Sequence, residues 1–337
     1  MKTKIIYCIL FVGVSWHTMA QENESPTKED TKVKDSIRIV VKAITDKFPT
    51  TRIFDVQYDQ LVPTNYDSKL FGNNFEKGRI ENHNRVKVSF NMPFFSSKNK
   101  RLALTSSFSY KYETFEFGEI YNVNSPVPYT REKEEIHYFA AALSATYVST
   151  LFNKPVIYMA TASVDGNEEN VQRIKGFVTA NIVLKRNVNT TITIGALLMI
   201  DPSSIIPMTP LFTYNHKFKN SKWDMDFIMP QRMLFRRELS LNGRISFGTE
   251  LNSENFYVNL DSPNLKGIYE LNQLELRSGI TYEYSFSPKI KGLFKTGINN
   301  VISTRLTERG QRTSNYVYDQ KQDAQAYFRF GISYNPF

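Results

Sequence analysis

At 337 residues, with an even composition after about residue 50, the chain is long enough for one large β domain and favours one over two. Its 25 Phe and 19 Tyr against 2 Trp, at a mean hydropathy of -0.38, suit strands in which every other residue is polar. The formal charge of +9 comes without a basic helix, zinc-ligand spacing or an RNA-binding aromatic motif, which sets nucleic acid aside and makes an anionic lipid surface or an anionic solute the natural counterpart.

Residues 1–20 carry Lys2 and Lys4, an apolar run from Ile5 to Trp16, and the small residues Thr18 and Ala20, the pattern of a secretory signal peptide cut before Gln21. The single cysteine, Cys8, falls inside this leader, so the mature chain is expected to have no disulfide or thiolate chemistry. No other segment approaches the roughly 18 consecutive apolar residues of a membrane helix, and any crossing must be made by strands. Residues 21–50 read as a periplasmic tether. Gln21 to Lys34 is rich in Glu, Lys and Thr. From Asp35 to Phe48 the apolar residues Ile37, Val40, Val41, Ile44 and Phe48 fall at helical spacing, which predicts a short helix at or in a barrel mouth; the β-branched run at Ile37 to Val41 equally allows an extra strand.

From Ile53 the period changes to two and stays there through residue 337. Phe54, Val56 and Tyr58 share one face, and a long loop rich in Asn, Asp, Gly and Pro is expected up to Gly78. Val86, Val88, Phe90 and Met92 then alternate with Arg85, Lys87, Ser89 and Asn91. After a tight turn at residues 96–100, Phe108, Tyr110 and Tyr112 oppose Ser109, Lys111 and Glu113. Beyond Pro126 and Pro128, Phe139 to Tyr147 returns as Val156 to Val164, and Ile174 to Leu184 alternates with Lys175 and Lys185 before a turn at residues 186–189. Ile192 to Ile200, Leu211 to His216, Trp223 to Met229 and Arg232 to Leu239 continue the series. Ile245 to Leu251 opposes Arg244 and Glu250, and Leu274 to Phe286 opposes Glu275, Arg277 and Glu283. Lys291 and Lys295 lie on the polar parity of the next stretch, and Thr304 to Asp323 is expected to be the last loop. Long polar loops alternate with short turns, as in bacterial outer-membrane barrels with long external loops and short periplasmic turns.

The final stretch, Ala324 to Phe337, sets Phe328, Phe330, Ile332 and Tyr334 against Arg329, Gly331, Ser333 and Asn335. Its aromatic end, Tyr334 and Phe337, resembles the C-terminal signature by which the barrel assembly machinery recognises its clients, although Phe337 sits on the polar parity behind Pro336. The block Lys222 to Gln231, with Trp223, Met225, Phe227 and Pro230, resembles an outer-membrane barrel family of unknown function common in Bacteroidetes (domain of unknown function 6268). That resemblance implies the same fold and compartment and no mechanism. The whole predicts an all-β, single antiparallel transmembrane barrel of 12 to 14 strands over residues 51–337 in the bacterial outer membrane, in contact with lipid and lipopolysaccharide, with no cofactor.

If the apolar parity faces lipid, the other lines a lumen. Its cations are Arg85, Lys87, Lys111, Lys175, Lys185, Arg244, Arg277, Lys291, Lys295 and Arg329, and its anions are Glu113, Glu250, Glu275 and Glu283. This excess predicts a basic conduit for anionic or small solutes, unless the charges pair with one another to fill the barrel. Two other functions stay open. The loops at residues 72–78, 122–128 and 201–207 suit a docking barrel, and His83, on the inward parity, is the one candidate base of a lipid hydrolase. His137 lies on the outward parity and His216 near a short turn, so the three histidines are not expected to converge, and no GxSxG, HExxH or metal-ligand motif accompanies them. An enzyme is not expected.

Overall fold

The computed structural model describes residues 45–336, apart from 100, 126, 202, 205–206, 240–241 and 262–264. The expected leader, most of the tether and Phe337 lie outside the described residues. A helical turn at residues 45–47 and a 3-10 turn at Pro49–Thr51 lead into sixteen strands. The first five are β1 (Phe54–Leu61), β2 (Thr64–Leu70), β3 (Asn73–Ser96), β4 (Leu102–Asn122) and β5 (Glu134–Leu151). Next come β6 (Lys154–Gly166), β7 (Val171–Arg186), β8 (Thr190–Ile200), β9 (Met208–Lys217), β10 (Trp223–Met229) and β11 (Arg232–Glu238). The chain ends with β12 (Gly243–Asp261), β13 (Lys266–Ser285), β14 (Ile290–Glu308), β15 (Tyr316–Gln322) and β16 (Gln325–Tyr334).

Antiparallel pairing closes these strands into one ring. Tyr58 of β1 lies opposite Val86 of β3 on one side and Phe330 of β16 on the other, so the sheet has no free first or last stave at this level. Fourteen strands make the ring, because β2 and β15 continue the first and last staves above it and pair with each other. The wall is inside-out relative to a water-soluble domain. Arg85, Arg277, Glu113 and Glu275 are fully buried, whereas Phe330, Ile332 and Leu143 stand about half exposed on the outer surface. Apolar side chains directed away from a polar interior on a closed ring make this a membrane-spanning barrel of outer-membrane type, since only closure satisfies every backbone group of a sheet in hydrocarbon. Aromatic pairs such as Trp223 with Phe247 and Tyr284 with Phe286 stand at the short-turn end, where ring-bearing side chains favour the interface.

Two segments expected as long loops are strands. The stretch to Gly78 folds into the β2–β3 hairpin around Phe71 and Gly72, both at positive φ, and residues 304–323 contain the upper part of β14 and all of β15. Above the bilayer both faces of a strand meet polar surroundings, so the alternation fades while the backbone ladder continues.

The wall is very uneven in height. β3 has 24 residues and β4 has 21, but β10 and β11 have 7 each. Over the low side the tall strands bend inward. Gly248, Gly279 and Gly297 are register partners across β12, β13 and β14, and a Cβ on Gly279 would lie 2.1 Å from the Thr296 carbonyl oxygen. This row is a crease, the use a sheet makes of glycine where it must bend sharply. Above the crease Tyr257 and Glu270 keep the outward parity, yet both are buried. Tyr257 Oη donates to Asp165 Oδ1 at 2.8 Å and Arg173 pairs with Glu270, and Asp165 and Arg173 stand on the inward faces of β6 and β7. The outer face of the β12–β13 hairpin therefore packs on the inner face of the opposite wall, and the mouth narrows to β2–β5 and β12–β15.

Candidate functional site

The crease brings the inward charges of β12 and β13 across the lumen to those of β3 and β4. Arg85 Nη2 on β3 donates to Glu113 Oε1 on β4 at 2.6 Å and to Glu275 Oε1 on β13 at 3.0 Å. Arg277 donates from Nε to Glu275 Oε2 at 2.9 Å and from Nη1 to Asp59 Oδ2 at 2.7 Å, and Asp59 also takes Arg329 at 2.6 Å. Glu254 on β12 receives Lys87 and, at 3.3 Å, Lys111, whose ammonium also lies 4.3 Å from the centre of the Tyr138 ring. Lys295 pairs with Glu250. Side chains from β1, β3, β4, β12, β13, β14 and β16 thus meet in one ion-paired septum near mid-barrel, in which each guanidinium is met by carboxylates as a desolvated charge requires.

The expected excess of lumen cations is corrected here. Lys175 pairs with Asp165 at 2.9 Å, and Arg244 and Lys291 pair with Asp46 at 2.8 and 3.3 Å. Nine of the ten cations therefore have a carboxylate within an ion-pair distance. The tenth, Lys185, does not line the lumen. A register shift between Val183 and Lys185 places it opposite Ile192, an outward position, and it is exposed beside the turn; one extra residue in a strand moves every later side chain to the other face. The partners missing from the sequence reading are Asp46, Asp59, Asp165 and Glu254. Asp59 was legible, since it continues the polar parity opposite Phe54, Val56 and Tyr58. Glu254 and Asp165 lie past the ends of the apolar alternation, where the strands run on without it.

A plug closes the short-turn mouth. Arg244 and Lys291 hold Asp46, Lys47 reaches Asp226 at 2.8 Å, Arg232 Nη1 donates to the Lys47 carbonyl at 2.6 Å, and Arg52 is buried between Glu283 and Ser333. Burial works to raise the Asp46 carboxyl, but Arg244 first and then Lys291 outweigh it and hold the group well below its ordinary value of 3.8. A depressed carboxyl stabilises the docked plug above that value and loses its contribution as pH falls beneath it. Cleavage beside Phe48 by chymotrypsin at neutral pH is accordingly expected to be slow in the native protein and ready in Asp46→Asn, and with pepsin, compared well below 3.8, the difference between the two is expected to shrink.

Two chambers flank the septum. The outer one, of about 700 Å³, is lined by Phe75, Ile80, Phe115, Phe117, Leu271 and Leu306 with polar groups around them. At its rim Arg131 Nη2 meets Glu76 Oε2 at 3.1 Å and stacks over Phe117, while Tyr129 donates to Glu76. Burial and that carboxylate push the Tyr129 phenol up to about 12. The inner chamber, of about 180 Å³, lies between septum and plug. His83 is buried against Glu113 and the Phe115 ring, while His137 and His216 hydrogen-bond Tyr110 and Thr190 on other strands, so the three stay apart.

No family model matches the chain, and no curated protein matches it in sequence. Among solved structures it is similar to the COG4313 outer membrane channel from Pseudomonas putida F1, with 10% identity, a TM-score of 0.36, and coverage of 84% of this chain and 96% of that one. It is also similar to the outer membrane protease OmpT from Escherichia coli (8% identity, TM-score 0.29, 83% and 96% covered) and to a Pseudomonas aeruginosa FadL homologue (9%, 0.26, 84% and 89%). The barrel assignment stands on the closed ring of strand pairings and not on these likenesses, and no residue role carries over from them.

Proposed function

We propose that this protein is a closed conduit of the bacterial outer membrane that takes a small amphipathic solute into its outer chamber and passes it inward when the septum and plug part. The observation that carries the reading is the placement of an ion-paired layer between a mixed apolar and polar outer chamber and a plugged inner one. Walls that mix apolar side chains such as Phe115, Phe117 and Leu271 with many polar ones suit an amphipathic ligand. Fourteen strands enclose more room than side chains fill unaided, so the closure is a feature of particular residues and not of barrel width. The reading extends to kinship with the Bacteroidetes barrels that Lys222 to Gln231 resembles, a block that forms β10 and its turn.

Liposome swelling and planar-bilayer conductance test it. The intact barrel is expected to conduct little, and a variant combining Asp46→Asn with Lys295→Ala and Glu250→Ala is expected to raise flux of small solutes at least tenfold in folded protein. A folded variant with unchanged flux would leave a docking barrel acting through its loops and remove the conduit.

A further inference from the structure

The charge of the chain is unevenly spread, and the outer chamber carries the opposite sign to the whole. Against a formal net charge of +9, the chamber lining holds five carboxylates, Glu76, Glu134, Glu135, Glu168 and Glu169, and one cation, Arg131. Arg131 is taken by Glu76 at 3.1 Å, and Glu135 is met by Lys133 at 2.8 Å. Glu134, Glu168 and Glu169 have no ion-pair partner among the described residues, and Glu169 accepts a hydrogen bond from Asn259 Nδ2 at 3.2 Å. Glu134 opens β5 on the inward parity, opposite Phe115, while Glu168 and Glu169 stand in the turn from β6 to β7 at the external end. The septum below does not neutralise them, because its guanidinium groups are already paired with its own carboxylates.

Exposed carboxylates alone make a solvated rim, and two further features make this one a site. On the floor, Thr304 is 2% exposed and stands on the inward face of β14 opposite Gln273, whose amide donates to Glu275 of the septum at 3.2 Å. Thr304 lines the chamber, and its Oγ1 has no hydrogen-bond partner among the described residues; Gln322 Oε1, a second acceptor of the lining, has none either. A buried polar atom left alone is costly, and a ligand group that reaches it removes the cost. Above the floor the wall is aromatic. Phe115 and Phe117 stack at 6.3 Å, and the Arg131 guanidinium lies 5.3 Å from the centre of the Phe117 ring, so the protein's own cation shows that this wall accepts one.

We propose that the outer chamber selects an organic cation: an ammonium or guanidinium drawn by Glu134, Glu168 and Glu169, a ring-bearing body against Phe115 and Phe117, and a hydrogen-bonding group at the far end that reaches Thr304. The same three carboxylates turn an anion away, which reverses the sign of solute expected from the inward charges of the sequence. The chamber volume of about 700 Å³ falls within the usual range for an organic ligand, about 300–1,000 Å³. A bare metal ion or a simple amine would use the carboxylates but neither the aromatic wall nor Thr304. This deepens the conduit reading by naming the class of its solute, and it rests on that reading for its purpose.

The test uses the full chain in nanodiscs of zwitterionic lipid, with septum and plug intact. The probe is 2-(6-hydroxy-2-naphthyl)ethylammonium, followed by its fluorescence anisotropy against empty nanodiscs. Beside it run the amine without the hydroxyl and 3-(6-hydroxy-2-naphthyl)propanoate, which puts the opposite charge on the same ring. The hydroxy amine is expected to bind about tenfold more tightly than the propanoate, and excess ethylammonium or magnesium is expected not to displace it. Combining Glu134→Gln with Glu168→Gln and Glu169→Gln is expected to remove most of that preference. Thr304→Val is expected to weaken the hydroxy amine about threefold and to leave the amine without the hydroxyl unchanged; should that variant not fold, the contrast between the two amines on the native protein reads the same contact. Equal affinity for amine and propanoate, a preference that survives the three Gln replacements, displacement by ethylammonium or magnesium, or two amines of equal affinity would overturn the proposal. Unchanged flux through a cleared septum overturns the conduit and leaves these affinities standing.

Discussion

Arg85→Ala is expected to lower the stability of the barrel by about 3–5 kcal/mol, the range for removing one partner from a buried ionic cluster. Arg85 is fully buried, and its guanidinium binds Glu113 and Glu275 and lies 3.5 Å from Glu254. Alanine would leave three carboxylates facing one another without the central cation. Equilibrium urea unfolding in vesicles, or the temperature at which the folded band is lost on a denaturing gel, measures the effect. The pair Arg85→Met with Glu113→Gln is expected to recover a substantial part of the loss, because it removes the uncompensated charge together with its partner. A shift below about 1 kcal/mol for Arg85→Ala would mean that water, not Arg85, neutralises the septum.

Gly279→Ala is the second large expected effect, at about 2–3 kcal/mol, the usual cost of forcing extra volume into a packed site. Its new Cβ would lie 2.1 Å from the Thr296 carbonyl oxygen and 2.8 Å from the Gly297 Cα, both backbone atoms that cannot rotate away. The strands must separate or flatten, and either movement draws Glu275 and Arg277 back from Arg85. Gly331→Ala is the control. It faces the same interior from the last strand, with its nearest prospective contact at 3.3 Å, and is expected to cost about 1 kcal/mol or less. Unfolding of the two variants side by side checks the crease, and equal losses would remove it. If the crease positions the septum, Gly279→Ala protein that still folds also gains conductance.

Alternation alone was enough to separate wall from lumen over most of the chain. Val86, Val88 and Phe90 against Arg85, Lys87 and Ser89, and Tyr282 and Tyr284 against Thr281 and Glu283, each state two environments one residue apart, and nothing but a strand between lipid and a polar interior satisfies both. The exceptions mark where that local rule ends. Lys185 keeps the right spacing by count but follows a bulge, and a bulge leaves no sign in composition. The stretches at residues 64–78 and 304–323 form strands without a lipid face, so their pattern looked like loop.

What the amino-acid order determined by itself was therefore everything set by neighbours along one strand: the barrel, its lipid-facing positions, most of its inward charges and the short-turn end. Only the tertiary structure decided that those charges meet. Arg85 finds Glu275 190 residues away because a row of three glycines lets one wall fold onto another, and Asp46 enters the lumen because Arg244 and Lys291 wait at its mouth. Pairing across a lumen depends on curvature and wall height summed over many strands, and a period of two carries no information about either.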